Sequence, residues 1–413
     1  MPQRGRVRTG DQALVREINL SVIMNHLREH APVSRASLAE MTGLNKTTVS
    51  SLVRELIERH FVHEVGLGGV GVGRPATLLE LNPAAGFIVS AEIGVDFISV
   101  IRTNFAAEIV WRHQKRTRTD MGQRAIIDCT LALLRQAIAS CDLGDDNLLG
   151  LALGVPGLVD HETGALLFAP NLGWRDIPLR AILRESFDAP VFVNNEANLA
   201  ALGEYYFGAA QGYSEVLYIS AGVGLGGGIV RDGHLWQGTA GFAGEIGHMT
   251  MAPDGARCNC GNWGCWETQV SQSAAFRQIR EAIERGRKSL LVEMLNGDLG
   301  RLTVPLVVEA ARAGDTLTLE VLDRVGHHLG IGIASLVNAL NPDLVVFGGI
   351  LSLAGEFLLP IVDAELQQRA LRWNAEAVQV TLARHGFDAC VMGGAALVYQ
   401  MILAQPTGAP LLA

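Results

Sequence analysis

The chain has 413 residues, 49% hydrophobic and 18% charged, with a formal net charge of −9, an ordinary globular composition that at about 150 residues per domain holds two or three domains. No run of eighteen apolar residues occurs and no apolar stretch follows the basic Arg4, Arg6 and Arg8, so neither a membrane partner nor an export leader is expected and the expected place is the cytoplasm. Six cysteines are too few for a disulfide scaffold, and the charge is uneven, ten Lys/Arg against eight Asp/Glu in residues 1–80 and 23 against 34 in the rest, which excludes indiscriminate nucleic-acid binding by the body but not by the head.

From Asp11 to His30 the apolar residues Leu14, Ile18, Val22 and Leu27, with Ile23 beside them, fall near helical period and predict one buried stripe, stopped by Pro32. The segment "SRASLAEMTGLNKTTVSSLVRELIERHFV" then reads as helix, tight turn, helix. Leu38 and Met41 are expected to face inward, Gly43 to make the turn, and Leu44, Val49, Leu52, Val53, Leu56 and Ile57 to line the inner face of a longer helix. Outside stay Asn45, Lys46, Thr47, Thr48, Ser50, Ser51 and Arg54, short polar and basic side chains suited to base edges and phosphates in a major groove, with Arg35 in the preceding helix. The stretch "HEVGLGGVGVGRPATLLEL" reads as a β-hairpin wing with a Gly-rich tip, whose Arg74 is placed to enter a minor groove or touch the backbone. Residues 1–81 are therefore expected to form a winged helix-turn-helix whose partner is double-stranded operator DNA. A plain helical hairpin with a solvated polar face is the alternative. The following wing and the change of composition at Asn82-Pro83 favour DNA.

The body opens with "GFIVSAEIGVDFISVIRTNFAAEIV", apolar runs around Gly94, Asp96 and Asn104-Phe105 that predict hairpin-linked strands, followed by a helix from about Met121 to Ser140. A buried strand in "LLGLALGVPGLVD" breaks at Gly154–Gly157, "VFVNNEANLAALGEYYFG" runs from strand into helix, and "EVLYISAGVGLGGGIVRDGHLWQG" is a Gly-rich hairpin. Toward the C-terminus "HHLGIGIASLVNALNPDLVVFGGILS" gives helix, turn and a strand ending on Gly348-Gly349. This order implies an α/β architecture with ligand sites at strand ends. Gly222, Gly224 and Gly227 formally satisfy GxGxxG, but a strand and an Asp232-Gly233 turn follow instead of a helix, so the stretch is a phosphate-facing hairpin, or a former one, or a place of close backbone packing.

Within "GEIGHMTMAPDGARCNCGNWGCWE", His248, Cys258, Cys260 and Cys265 supply one imidazole and three thiolates, enough for a closed tetrahedral zinc site. With all four positions filled by protein no water is activated, so the metal, Zn2+, is expected to be structural and to brace the loop 248–267.

The combination of "GEIGH", "CNCGNWGCWE", "GVPG" followed by "PNLGW", "NNEANLAALGE" and "GVGLGGGI" resembles the ROK family (repressors, open reading frames, kinases), and the helix-turn-helix makes the chain similar to that family's NagC/XylR-type transcriptional regulators. The resemblance implies a two-lobed actin-like, hexokinase-type body over 82–413 with a sugar in its cleft. Position by position it places sugar contacts at Gly157, Asn195, Glu196, Glu245, His248 and Glu267. Carboxylates and amides meet vicinal hydroxyls in donor and acceptor pairs, so the chemistry is sound on its own terms.

Three departures from the family's kinases bear on activity. The first phosphate motif, Asp-Ile-Gly-Gly-Thr-Lys, stands here as Glu92-Ile93-Gly94-Val95-Asp96-Phe97; the threonine of Gly-Thr-Gly is Val223; and the catalytic aspartate of "NDAN" is Glu196, about 1.5 Å longer. The expectation is a non-enzymatic, sugar-responsive regulator, a repressor of carbohydrate genes released by a sugar effector and acting as a homodimer or homotetramer. A bifunctional ATP-dependent sugar kinase with a DNA-binding head is the alternative.

Overall fold

In the computed structural model the chain is described over residues 12–68, 76–140 and 147–408. The head comprises α1 (Gln12–His30), β1 (Val33–Ser34), α2 (Arg35–Thr42), α3 (Lys46–Glu58), β2 (Val62–Gly68) and β3 (Ala76–Leu81), with the strands in the order β1-β3-β2. Local chemistry sets its corners. Ser34 caps α2 by accepting the Ser37 N–H, Gly43 ends it at φ +69, and Asn45 caps α3 by accepting the Thr48 N–H at 2.8 Å.

Two expectations about the head's core are corrected. The buried stripe of α1 is Leu20, Ile23, Met24 and Leu27, while Ile18 is 52% exposed. The same apolar residues can be framed two ways at helical period, and the tighter i, i+3, i+4, i+7 set wins because it meets α3 and β3. In α2 the inward residues are Leu38 and Ala39; Met41 lies at the last turn before the Gly43 reversal and stays partly exposed.

The body contains β4 (Phe87–Ile93), β5 (Phe97–Asn104), β6 (Ile109–Arg116), α4 (Gln123–Ala139), β7 (Leu148–Val155), β8 (Leu158–Val159), β9 (Leu166–Ala169), β10 (Trp174–Ile177), α5 (Leu179–Ser186), β11 (Val191–Asn195) and α6 (Glu196–Phe207). After these come β12 (Glu215–Ala221), β13 (Leu225–Arg231), β14 (His234–Leu235), α7 (Glu267–Val270), α8 (Gln272–Glu284), α9 (Leu290–Met294), α10 (Val304–Arg312), α11 (Thr316–Leu340), β15 (Leu344–Gly348), α12 (Gly355–Arg369), α13 (Arg372–Ala377), β16 (Gln379–Leu382) and α14 (Ala389–Ala404).

Two five-stranded sheets organise them, β11-β7-β4-β5-β6 and β14-β13-β12-β15-β16. Read from β6 and from β14, each runs antiparallel, antiparallel, parallel, parallel. The lobes are thus one topology used twice, and α6 and α14, each following the last strand of its sheet, are equivalent elements. A short antiparallel sheet, β8-β9-β10, is added to the first lobe.

The two equivalent helices cross in close contact. A Cβ on Gly203 would lie 2.5 Å from Ala389 O, and one on Gly393 would lie 1.6 Å from Leu199 O, so only glycine permits the approach. Glu204, fully buried on α6, accepts the N–H groups of Ala209, Arg384 and His385 at 2.8, 3.0 and 2.8 Å, tying α6 to the loop leading into α14. The segment Gly386–Ala404 reaches a mean hydropathy of 1.5, long and apolar enough to cross a membrane, yet 67% of it is buried in the protein. Its apolarity serves this crossing. One apolar cluster here joins α6 and α14 to the head through Phe61, Phe105 and Tyr399.

Candidate functional site

On the head, Lys46, Thr47, Ser51 and Arg54 stand exposed on one side of α3, and Thr48 and Ser50 are partly covered. Asn45 commits its carbonyl to the cap, and the Ser50 hydroxyl donates to Lys46 O at 2.8 Å, so both meet a partner with their remaining valences. Arg35 pairs with Glu64 of β2 at 2.9 Å. Arg74 lies outside the described residues.

The six residues expected around a sugar fall into three groups, Gly157 with Asn195 and Glu196, Glu245 with His248, and Glu267 beside Cys258, and the carboxyls of Glu245 and Glu267 act electrostatically on Glu196. Gly157 follows β7 at φ +111, where a Cβ would lie 2.2 Å from Phe168 O, so glycine is required. Its carbonyl accepts from Asn195 Nδ2 at 3.0 Å, while Asn195 Oδ1 caps α6 on the N–H groups of Ala197 and Asn198. Glu196 is next, and its Oε2 is buried without a hydrogen-bond partner. Burial, together with the charges of Glu92, Glu245 and Glu267, holds the Glu196 carboxyl well above the usual carboxylate range. Burial likewise raises Glu245, against the pull of His248, whose Nε2 is 3.8 Å from Glu245 Oε2. Glu267 spends one oxygen on the Leu225 N–H at 3.0 Å and the other on Cys258 Sγ at 3.2 Å.

His248, Cys258, Cys260 and Cys265 converge, with one donor atom from each lying within 4.8 Å of the others. The separations Cys258 Sγ to His248 Nδ1 and Cys260 Sγ to Cys265 Sγ are both 3.7 Å. A tetrahedron with metal–sulfur bonds of about 2.3 Å has edges of about 3.8 Å, so the donor set fits a tetrahedral ion. Burial pushes the Cys258 and Cys265 thiols up, so thiolates here need a cation beside them. The loop is pre-shaped for the task. Gly264, at φ +65, sits where a Cβ would overlap Ala252 O, and Trp266, fully buried, donates its indole N–H to His328 O on α11.

Three features were not assigned from sequence. Glu92, at the end of β4, is 8% exposed; burial pushes its carboxyl up to about 8, moderated by a hydrogen bond with the Cys390 thiol at the start of α14. Asn171, within the quoted "PNLGW", receives a 2.9 Å hydrogen bond from Asn259 of the cysteine loop and so links the lobes across the site. Phe97 folds its ring over Gly94, where a Cβ would lie 2.3 Å from the ring. All three stand in quoted motifs, Glu92 and Phe97 in the degenerate first phosphate motif and Asn171 in "PNLGW", but nothing in those motifs gave Glu92 or Asn171 a role or Phe97 its place over Gly94.

The glycines of "GVGLGGGI" divide. Gly222 and Gly224 form the turn between β12 and β13, as the hairpin reading required. Gly227 and Gly228 instead allow β13 to pass against Gly244, Ala197 and Ala201.

The profile of the ROK family matches residues 88–401, and that of a winged helix-turn-helix DNA-binding domain matches residues 17–62. A xylose repressor of Caldicellulosiruptor bescii is 33% identical over 397 residues, covering 96% of this chain and 99% of the repressor. A glucokinase of Halalkalibacterium halodurans is 39% identical over 314 residues, covering 76% of this chain and 94% of the kinase. The crystal structure of a ROK family transcriptional regulator, a homolog of the E. coli MLC protein, matches with a TM-score of 0.80 at 28% identity, covering 94% of this chain and 97% of that one. With a winged helix-turn-helix head on a two-lobed, sugar-kinase-type α/β body, the chain belongs to the ROK family.

Proposed function

We propose that the protein is a sugar-responsive transcriptional regulator, a cytoplasmic repressor of carbohydrate uptake or catabolism genes that leaves its operator when a sugar enters between the lobes. Residues 1–81 bind DNA through Arg35, Asn45, Lys46, Thr47, Thr48, Ser50, Ser51, Arg54 and Arg74. Residues 82–413 bind the sugar through Gly157, Asn195, Glu196, Glu245, His248 and Glu267. Zinc, held by His248, Cys258, Cys260 and Cys265, fixes the loop that carries part of this set; it supplies rigidity and no chemical step.

The observation that carries the reading is how the head is mounted. α6 and α14 both begin at the polar set, with Glu196 on one and Cys390 beside Glu92 on the other. Both end against the head. The Arg28 guanidinium lies 4.9 Å from the Tyr206 ring centroid, and Phe61, Phe105, Tyr399 and Phe207 make a chain of rings with centroids 5.3, 5.1 and 5.9 Å apart. Glu17 of α1 also accepts the Thr407 N–H at 3.0 Å. A sugar that changes the angle between the lobes therefore changes the seat of the head, by no more than its preference for one state allows. In a homodimer or homotetramer that shift alters the spacing of two heads on a pseudo-palindromic operator.

The kinase reading is favoured by the glucokinase match over 76% of the chain and opposed by the phosphate side of the site. Phe97 covers Gly94, Val223 has no hydroxyl, and the Leu225 N–H is already taken by Glu267. An ATP-coupled assay over hexoses, pentoses and N-acetylhexosamines is expected to show no turnover. The regulator reading is tested by fluorescence anisotropy of labelled DNA from upstream of the gene, challenged with sugars at fixed salt, xylose first. Release by one sugar supports it; binding that ignores every sugar refutes it.

A further inference from the structure

We infer that the outer face of α1, opposite its buried stripe, is a contact for α1 of a second copy of this chain, and that two heads meet through it on one operator. The inference rests on the DNA-binding reading above and adds the surface through which two heads cooperate.

A surface helix ordinarily keeps one apolar stripe for the core and sets polar and charged residues opposite it. α1 carries two apolar stripes. Leu20, Ile23, Met24 and Leu27 fill the core, while on the other side Val15 and Ile18 stand 50% and 52% exposed, with Val22 and Asn25 partly exposed in line with them. Val15, Ile18, Val22 and Asn25 follow one another at intervals of three, four and three residues, which is the a-d-a-d order of a heptad seam; the four core residues then fall at b, c and f, behind it. The charges in this part of the helix are drawn back from the seam. Arg16 pairs with Glu55 of α3, and Glu17 accepts the Thr407 N–H at 3.0 Å. The positions flanking the seam, Leu14, Asn19, Ser21 and His26, include no Asp, Glu, Lys or Arg.

What such a seam fits is an identical one. In paired helices the e and g positions select the partner by charge. Here they carry none of the four charged residue types, so a second α1 meets no like-charge repulsion, whereas a strongly charged partner finds no counter-charge to hold it. Asn25, whose Nδ2 donates to Ser21 O at 2.9 Å, is the one polar residue of the four, the kind of residue that fixes register between paired helices. The size of the face says when the contact forms. Four side chains from each copy are about a fifth or less of the roughly 20–30 residues a side in a stable interface, and the seam is shorter than the three or four heptads of a free-standing coiled coil. It does not hold two chains together in solution by itself. Two heads on neighbouring half-sites, however, meet at an effective concentration on the order of millimolar, where so small a contact is populated. The seam therefore adds cooperativity to operator binding.

The test uses the full chain on DNA from upstream of its gene, in which footprinting of the parent marks two half-sites, and on the same DNA cut down to one. Ile18→Glu places a carboxylate in the seam from each copy, at an exposed position where the fold tolerates it; a thermal melt checks this. Affinity for the two-site DNA should fall roughly tenfold, while affinity for one half-site stays within about twofold of the parent. Ile18→Glu and Ile18→Lys chains, co-expressed, should regain about threefold or more of that loss, because opposite charges then face each other across the seam. Unchanged two-site affinity in Ile18→Glu overturns the contact and leaves the DNA-binding reading standing. An equal loss on one half-site and on two also overturns it, since the change then acts within a single head. A two-site loss that the co-expressed pair does not regain overturns the second copy as the occupant and gives the face to another segment or protein. No binding of upstream DNA by the parent overturns the DNA-binding reading, and the contact with it. If Ile18→Glu does not fold, Val15→Glu with Val15→Lys is measured in its place by the same criteria.

Discussion

The two ends of the α6/α14 pair are built from opposite chemistry. At the lobe junction stand Asn195, Glu196, Glu92 and the Cys390 thiol, with carboxyls pushed up by burial and one oxygen lacking a partner. At the head stand Phe61, Phe105, Tyr206, Phe207 and Tyr399, packed ring on ring with a guanidinium above. Unsatisfied polar groups gain free energy when a ligand meets them, so the first end can sense. Close-packed aromatic surfaces have few alternative arrangements, so the second can pass on a displacement but adds no chemistry of its own. In the proposed regulator, sensing and transmission are thus separated along the length of two helices.

The largest effect should come from removing the brace of the polar end. Cys260→Ser deletes one of the four proposed metal donors, and elemental analysis should find metal per chain falling from about one to near zero. Sugar affinity should fall by roughly 100-fold or more, because Glu267 and His248 lose the loop that positions them; full metal in the variant would refute the site.

Next is the cost of the buried acid itself. The folded pKa of Glu92, about 8, lies above its ordinary 4.5, through burial first and the Asp388 charge after it, with the Cys390 hydrogen bond opposing. The folded state therefore keeps a proton that the unfolded chain releases, and stability falls as pH rises through that window, by on the order of 4 kcal/mol. Glu92→Gln should flatten much of this fall and raise Tm at pH 8.5 relative to the parent while changing little at pH 4.5; Glu196, raised for the same reason, keeps part of the slope. Thermal melts at pH 4.5, 6.5 and 8.5 check it, and parallel curves for the two proteins would remove Glu92 from the account.

A third pair of changes works at the far side of the head. Lys46→Ala and Arg54→Ala should each weaken operator binding about tenfold and lower the salt slope by about one, leaving sugar affinity unchanged. Unaltered operator affinity in both would sink the assignment of α3 as the reading helix.

The two ends also differ in how far they could be read from sequence. The head's helices, turn and hairpin followed from period and punctuation, since Gly43, Asn45 and Pro32 act locally. The cysteine loop was legible because its four donors lie within eighteen residues of chain. The frame of α1 was misread because a helical stripe says only that one face is buried, and which face depends on α3, β3 and α14. The repeated sheet topology was invisible, being preserved in strand order and not in residue identity. The Glu92–Cys390 contact spans the whole body, and nothing local to either residue announces the other.

The smallest change probes the transmitting end alone. Arg28 is on α1 of the head and Tyr206 on α6, so their contact crosses the seam that a lobe movement has to work through. A cation over an aromatic face contributes about 0.5–1 kcal/mol, too little for Arg28→Ala to unfold the head, whose α1 keeps Leu20, Ile23, Met24 and Leu27 buried. Sugar affinity should stay as it was, since Arg28 is remote from Glu196, and operator affinity without sugar should change less than about threefold. What should shrink is the ratio of operator affinities without and with sugar, because a looser seat lets α6 move without carrying α1 along. The ratio comes from paired anisotropy titrations. A drop confined to the ratio would separate transmission from both binding events, whereas an unchanged ratio would assign the coupling to the chain of rings from Phe61 to Phe207.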